Sequence, residues 1–232
     1  MTLTDAPPPY GTIVFDCDST LSDMEGIEDL AGPEHAREIG ELTAAAMDGT
    51  LPLEEVFGRR LELVQPTRAD VEHIGRAYVE KAIPGVGELM STLLGLGKRL
   101  VIVSGGLLPA VRVLALHLGI EEVYAVDVSF DEAGAYAGFD DASPLARAGG
   151  KIEVLEAIRA EDPAGTPLAF IGDGATDLEA AHLASRFIAY GGVARRDNVF
   201  SAALVSSTAR DLRELAPLLL SPEEAAAAPS AT

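Results

Sequence analysis

Three short runs, at residues 12–15, 100–103 and 168–171, are apolar at nearly every position, with no alternation between an inward and an outward face. A strand can carry apolar side chains on both faces only if both are covered, which is how strands of a helix-flanked parallel sheet read. A fourth run occupies 187–190 and a weaker one 204–206. Helical patterns fall between them, at 85–95, 107–118, 151–161, 176–185 and 209–219. Strand alternating with helix implies an α/β fold, a doubly wound parallel sheet. Residues 123–139 look like a hairpin, turning at Asp131-Glu132-Ala133-Gly134.

Residues 22–82 break this alternation and read as three or four helices without a convincing strand. Pro66-Thr67-Arg68-Ala69-Asp70 marks a capped start for the last of them. Pro84-Gly85 then interrupts the chain before the sheet resumes. The expected organisation is an α/β core from 10–21 and 83–220, with a helical cap, 22–82, inserted straight after the first strand. Residues 1–9 and 221–232 are expected as flexible termini.

A chain of 232 residues suits one large domain, or a core with such an insertion. Hydrophobic content of 48% excludes wholesale disorder. No apolar run approaches the roughly 18–20 residues of a membrane span. Residues 1–9 carry neither basic residues nor an apolar stretch, so they read as neither signal nor transit peptide. The single cysteine, Cys17, can form no internal disulfide, which suits a reducing cytoplasm. A net charge of −20 argues against a nucleic-acid partner, which asks for a basic stripe. An anionic substrate would have to be captured by local cations and metal against that field.

The chemistry gathers where the strands end. The first runs into Asp16-Cys17-Asp18-Ser19-Thr20, the second into Ser104-Gly105-Gly106, the third into Gly172-Asp173-Gly174-Ala175-Thr176-Asp177. Ligands of open α/β sheets bind at this edge, and glycines there let backbone N–H groups approach an anion. In extended backbone Asp16 and Asp18 point the same way, and like charges that close raise at least one pKa. The pair is thereby divided into an ionised carboxylate and a protonated partner, a nucleophile beside an acid.

Other readings of these segments fail on single residues. A calcium loop beginning at Asp16 would need Gly and Glu where Leu21 and Ile27 stand. A nucleophile elbow at Ser104 would need Gly at Ile102. A cysteine phosphatase would need Arg at Asp23, so Cys17 reads as a small buried filler. The four histidines have no zinc-ligand spacing. Lys151 follows Gly149-Gly150 at the start of a helix, where its charge opposes the macrodipole and a partner is implied. Asp16, Asp18 and Asp173, with Asp177 nearby, need a cation to stay ionised. Oxygen ligands with a phosphate co-ligand point to Mg2+.

In this order, Asp16-x-Asp18-x-Thr20, Ser104, Lys151 and Gly172-Asp173-Gly174-x-x-Asp177 resemble the four motifs of the haloacid dehalogenase superfamily of aspartyl-phosphate-forming phosphatases. A closer resemblance, from about residue 13 to 219, is to its phosphoserine phosphatases. It is carried by Asp18-Ser19-Thr20 with Glu25-Gly26-Ile27, Ala46-Met47-Asp48-Gly49, and Arg60-Leu61-Glu62-Leu63-Val64-Gln65-Pro66. Tyr136-Ala137-Gly138-Phe139-Asp140 and Gly149-Gly150-Lys151 add to it. The departures are Leu53 and Leu107 where many relatives have Phe, Asp48 where Gly is common, and Thr176, which replaces the Asn of one branch.

The resemblance implies a Mg2+-dependent hydrolase that takes O-phosphoserine to serine and phosphate, as a cytoplasmic monomer or homodimer with no membrane or nucleic-acid partner. It implies Asp16 as nucleophile and Asp18 as acid and then base. Asp16, the Asp18 backbone carbonyl and Asp173 would hold Mg2+, with Asp177 one step behind. Ser104, Gly105, Gly106 and Lys151 would hold the phosphoryl group, and Thr176 would touch the ligand. In the cap, Glu25 would read the amino group and Arg60 the carboxylate, with Met47 lining the pocket. Three alternatives stay open: a superfamily phosphatase for another small phosphorylated metabolite, a phosphoserine:homoserine phosphotransferase, and a metal-dependent binding or regulatory protein without catalysis.

Overall fold

The computed structural model describes residues 6–33, 35–47, 50, 51, 53–162 and 164–228. The chain opens with β1 (Thr12–Phe15) and continues into α1 (Gly26–Leu30), α2 (Ala36–Met47), α3 (Leu53–Val64) and α4 (Arg68–Glu80). Then come α5 (Val86–Gly95), β2 (Arg99–Leu107), α6 (Leu108–Leu118), β3 (Glu122–Val126), β4 (Val128–Phe130) and β5 (Tyr136–Phe139). The last part holds α7 (Gly150–Ala160), β6 (Leu168–Gly172), α8 (Ala175–Ala180), β7 (Arg186–Tyr190), α9 (Asp197–Ala202), β8 (Val205–Ser207), α10 (Ala216–Leu219) and α11 (Pro222–Ala227).

Six strands form one parallel sheet in the order β3-β2-β1-β6-β7-β8. β1 lies in the middle, with Ile13 beside Leu100 and Ala169, and Phe15 beside Ile102 and Ile171. Every residue of β1 and β6 is buried, which is why those runs show no alternation. The strand order reverses between β1 and β6, so the connections after these two strands diverge and leave a crevice. Asp16 and Asp173 stand at that point, each directly after its strand.

The expected hairpin at 123–139 is divided. Glu122–Val126 joins the main sheet as the outer parallel strand β3, and only β4 and β5 pair antiparallel. The turn lies where expected, with Asp131 accepting from Ala133 and Ala135 N–H and Gly134 at φ +83°. A short apolar run does not itself say which neighbour it will pair with, so local pattern could not separate the two roles. The pattern at 176–185 ends as a helix at Ala180. That at 209–219 divides into a 3-10 turn, Leu212–Leu215, and α10, with Pro217 beginning the second piece.

The Ala/Pro/Glu segment expected as a loose tail instead contains α11. Ser221 Oγ accepts from Glu224 N–H while the Glu224 carboxylate accepts from Ser221 N–H, a reciprocal cap. Glu224 also pairs with the buried Lys98, whose ammonium donates to the Tyr10 carbonyl at 2.7 Å. Among the described residues no helix is long and apolar enough to cross a membrane.

The helices between β1 and β2 are tied to the sheet at two places. Where the chain leaves and returns, Ile83 N–H donates to the Leu21 carbonyl and Asp23 N–H to the Lys81 carbonyl. α4 starts at the expected cap, Thr67 and Asp70 bonding reciprocally, and buries Val71, Ile74, Gly75 and Tyr78 as one stripe. Gly75 lets it close on α6: a Cβ there would lie 2.7 Å from Val113 Cγ2. α2 and α3 carry a small cluster of their own, Leu42, Val56 and Leu63, apart from the main core.

Gly150 sets the entry of α7 and hence of Lys151. An added Cβ would lie 1.8 Å from the Pro144 carbonyl oxygen, a backbone atom that cannot turn aside. Gly150→Ala should therefore destabilise the chain by roughly 1–3 kcal/mol, as overpacking does. The melting temperature of the variant is the measurement, and an unchanged value would contradict this packing.

Candidate active site

β1 delivers Asp16 to the crevice, where its backbone N–H still donates to the Ile171 carbonyl of β6 at 2.9 Å. β6 ends in Asp173, and the first turn of α8 brings Asp177 back over Gly172. No other residue fits at Gly172, because a Cβ there would lie 2.3 Å from Asp177 Cγ. Asp16, Asp173 and Asp177 each present one oxygen within 4.8 Å of the others, all three buried. Lys151 supplies the missing cation. Its Nζ donates to Asp16 Oδ1 at 2.8 Å and to Asp177 Oδ1 at 2.5 Å, which explains a lysine at an unfavourable helix position.

Burial works against the Lys151 ammonium, but Asp16 and then Asp177 more than offset it and hold its pKa above the ordinary lysine value. Asp177 is pushed up to about 6 by burial, against the pull of Lys151. Burial, then Asp16 and Asp177, raise Asp173 well above the carboxylate range. Lys151, together with the Arg196 guanidinium that pairs with Asp173, gives two positive charges against three buried acids. All-oxygen donors in this arrangement suit a hard divalent cation.

Asp18 turns away from that cluster. Its Oδ1 accepts from Tyr78 Oη at 2.6 Å and from Gly26 N–H at 2.7 Å, and its Oδ2 lies 3.4 Å from Ser104 Oγ. Its carboxylate is absent from the metal-type cluster found among the described residues. Burial first, then Asp16, push its pKa up to about 6. Ser104, Gly105 and Gly106, expected just after a strand ending at Val103, lie within β2, which runs on to Leu107 past a register shift against β3. Ser104 Oγ accepts from Gly106 N–H at 2.9 Å. Cys17 is wholly buried, its thiol pushed up by burial and then by Asp18, as befits a filler.

A cavity of about 50 Å3 joins these groups to the inserted helices. Asp16, Asp18, Lys151, Thr176, Glu25 and Arg60 are among its lining. Ser104 and Asp173 are outside its lining, Ser104 Oγ lying 3.4 Å from Asp18 Oδ2 and Asp173 pairing with Arg196. Arg60 projects from α3, donating to Thr43 Oγ1 at 3.1 Å with its guanidinium 5.6 Å from the Phe57 ring centre. Its Nε is buried with no partner. Glu25 accepts from Ser19 Oγ at 2.8 Å, and burial followed by Asp18 pushes its pKa up to about 8. The Met47 side chain, Asp48 and the Leu53 side chain lie outside the described residues, and Leu107 is buried.

Four participants were not foreseen. Tyr78 grips Asp18 from α4, and Phe57 and Arg147 line the cavity. Arg196 spans the site, donating from Nε to Asp173 Oδ2 at 3.0 Å and from an Nη to Glu25 Oε1 at 3.1 Å. A signal for Arg196 existed, since it follows the strand ending at Tyr190 and so lies on the same sheet edge. Nothing local distinguishes Tyr78 from any other buried aromatic on an amphipathic helix.

Residues 13–182 match the family model of haloacid dehalogenase-like hydrolases. The chain belongs to that family. The mouse phosphoserine phosphatase is 38% identical over 192 residues, 81% of this chain and 84% of that protein. A phosphoserine phosphohydrolase-like protein from Francisella tularensis superposes with a TM-score of 0.81 at 26% identity, over 90% of this chain and 99% of that one. A phosphoserine phosphatase holding a phospho-aspartyl intermediate analogue superposes with a TM-score of 0.76 at 25% identity, over 92% and 100% of the two chains.

The raised carboxyls carry a stability signature. Asp18 and Asp177 titrate near 6 and Glu25 near 8, against roughly 4 for free carboxyls. Between those values the folded chain keeps protons that the unfolded chain has lost, so the chelated protein should lose stability as pH rises from about 4 towards about 8. A divalent cation favours the ionised forms. Its addition should therefore raise the melting temperature more at about pH 8 than at about pH 5.5. Thermal scans with chelator and with cation test this, and an increment independent of pH would contradict cation binding at these acids.

Proposed function

We propose that this protein is a Mg2+-dependent phosphoserine phosphatase working through an aspartyl phosphate on Asp16. The observation that carries the substrate is the pairing of Arg60 and Glu25, opposite charges lining the same small cavity as Asp16 and Lys151. Phosphoserine is an amino acid with a phosphoryl group, and reading it takes one cation, one anion and a phosphoryl cradle. The buried, unpartnered Nε of Arg60 is a donor waiting for an acceptor, and the guanidinium fork suits both oxygens of a carboxylate. Glu25 near pKa 8 would be returned to its charged form by the substrate ammonium. The relatives named phosphoserine phosphatase support the same substrate.

In this reading Lys151 holds Asp16 Oδ1, leaving Oδ2 to attack phosphorus. The phosphorus–oxygen bond to serine breaks, and its electron pair goes to the serine oxygen, which takes a proton from Asp18. An unassisted alkoxide leaves poorly, so a carboxyl titrating near 6 is apt for this donation. Asp18, now ionised, removes a proton from water as the water attacks the aspartyl phosphate. Phosphate departs and Asp16 is restored. Lys151, Ser104 and the N–H groups of Gly105 and Gly106 steady the phosphoryl oxygens, with Thr176 beside them. Asp16, Asp173 and the Asp18 carbonyl would hold Mg2+, with Asp177 behind them. A cation held there would supply charge neutralisation for the transferring group.

Asp16→Asn should lower turnover of phosphoserine by about three orders of magnitude or more, since the remaining groups cannot act without the nucleophile. Phosphate release measures it, and near-normal activity would remove the mechanism. Arg60→Ala should cost about 2–4 kcal/mol, or roughly 30- to 1000-fold, in kcat/KM for phosphoserine. An aryl phosphate, which has no carboxylate to read, should be hydrolysed nearly as by wild type. Equal losses on both substrates would place Arg60 in folding and undo the argument for phosphoserine.

A further inference from the structure

Tyr78 has no part in the reading above, yet it makes the shortest contact to the carboxylate assigned the proton transfers. The phenol is fully buried near the end of α4, and its hydroxyl donates to Asp18 Oδ1 at 2.6 Å. The second donor to the same oxygen is Gly26 N–H at 2.7 Å. Two donors on one carboxylate oxygen leave that oxygen without need of a proton and fix the plane of the group. The other oxygen faces the phosphoryl cradle. Oδ2 lies 3.4 Å from Ser104 Oγ, and a Cβ built on Gly106, which lines the cavity, would come within 3.1 Å of it.

We propose that Tyr78 is a positioning residue for the acid–base step: with Gly26 it occupies Oδ1 of Asp18 and makes Oδ2 the oxygen that gives a proton to the leaving alkoxide and takes one from water.

Three features hold the phenol in place. Its backbone carbonyl accepts from Ser22 Oγ at 3.0 Å, tying this part of α4 to the segment that leaves β1. α4 is seated on α6 through Gly75, so the ring is carried by a helix packed on the core. Gly26 must be glycine to admit it, since a Cβ there would lie 2.2 Å from the hydroxyl. A side chain fixed this firmly orients its neighbour at little entropic cost at the moment of reaction.

The inference rests on Asp18 as the acid of the proposed phosphatase, and its test keeps the two apart. Tyr78→Phe removes one oxygen and leaves the ring. The first step is read in a rapid-quench single turnover as release of the alcohol, from phosphoserine and from an aryl phosphate. Asp18→Asn is measured beside it as the reference for loss of the acid. Tyr78→Phe should slow release of serine roughly 10- to 100-fold, leave KM within about twofold, and slow the aryl phosphate by less than about threefold, because a good leaving group needs no proton. Gly26→Ala, which pushes on the hydroxyl, should show the same selectivity.

If Asp18→Asn is selective and Tyr78→Phe is not, Tyr78 is excluded while the acid stands. If neither is selective, both assignments fall. A Tyr78→Phe chain that melts far below wild type and is slow on both substrates would give the hydroxyl a merely structural role and overturn the proposal.

Discussion

One buried ammonium organises the sheet edge. Lys151 joins the acid that follows β1 to the acid in the first turn of α8, and all three groups are almost wholly withdrawn from water. Removing the lysine would leave buried carboxylates without a counter-charge, a loss of order 3–5 kcal/mol in comparable cases. Much of the nearby backbone follows from bringing that ammonium in. Gly149 takes a left-handed conformation to start α7, and Gly150 slides beneath the Pro144 carbonyl. Gly172 clears the space into which Asp177 folds back.

The rest of the site answers a charge problem set by the whole chain. A protein at −20 repels anions in general, and its substrate pocket must reverse that locally. Lys151, Arg60 and Arg147 line the cavity, and Arg196 bridges Asp173 and Glu25. Burial makes the reversal effective, because charges withdrawn from water act on one another with less screening. It also makes the acids reluctant to ionise, which appears as the raised values of Asp18, Glu25 and Asp177. Reactivity and latent instability here have the same origin.

The inserted helices contribute unequally. α4 is fastened to α6 through a glycine contact and to the departing chain through Ser22, and it carries the phenol beside Asp18. α3 carries Arg60, buries Phe57 and Leu61 in the main core, and shares with α2 a small apolar cluster of its own. Tyr78 thus sits on the helix seated against α6, and Arg60 on a helix divided between the main core and that smaller cluster.

What the chain alone determined was whatever depends on neighbours in sequence. The doubly apolar runs of β1, β2 and β6 announced a covered parallel sheet, Thr67 and Asp70 announced their own helix cap, and Asp16, Lys151 and Asp173 announced the crevice edge because each follows a strand or opens a helix. Local order also exposed Lys151 as a cation in want of a partner. Tertiary structure decided everything that depends on pairing across long stretches of chain. It assigned Glu122–Val126 to the main sheet and not to a hairpin, and stitched α11 to Tyr10 through Lys98 and Glu224. It turned the Asp18 carboxylate away from Asp16 and Asp173 towards Tyr78, sixty residues on. Periodicity and capping are local energies and can be read from spacing. Which oxygen of a buried carboxylate meets which donor depends on where helices from distant segments come to rest, and only the packed chain holds that information.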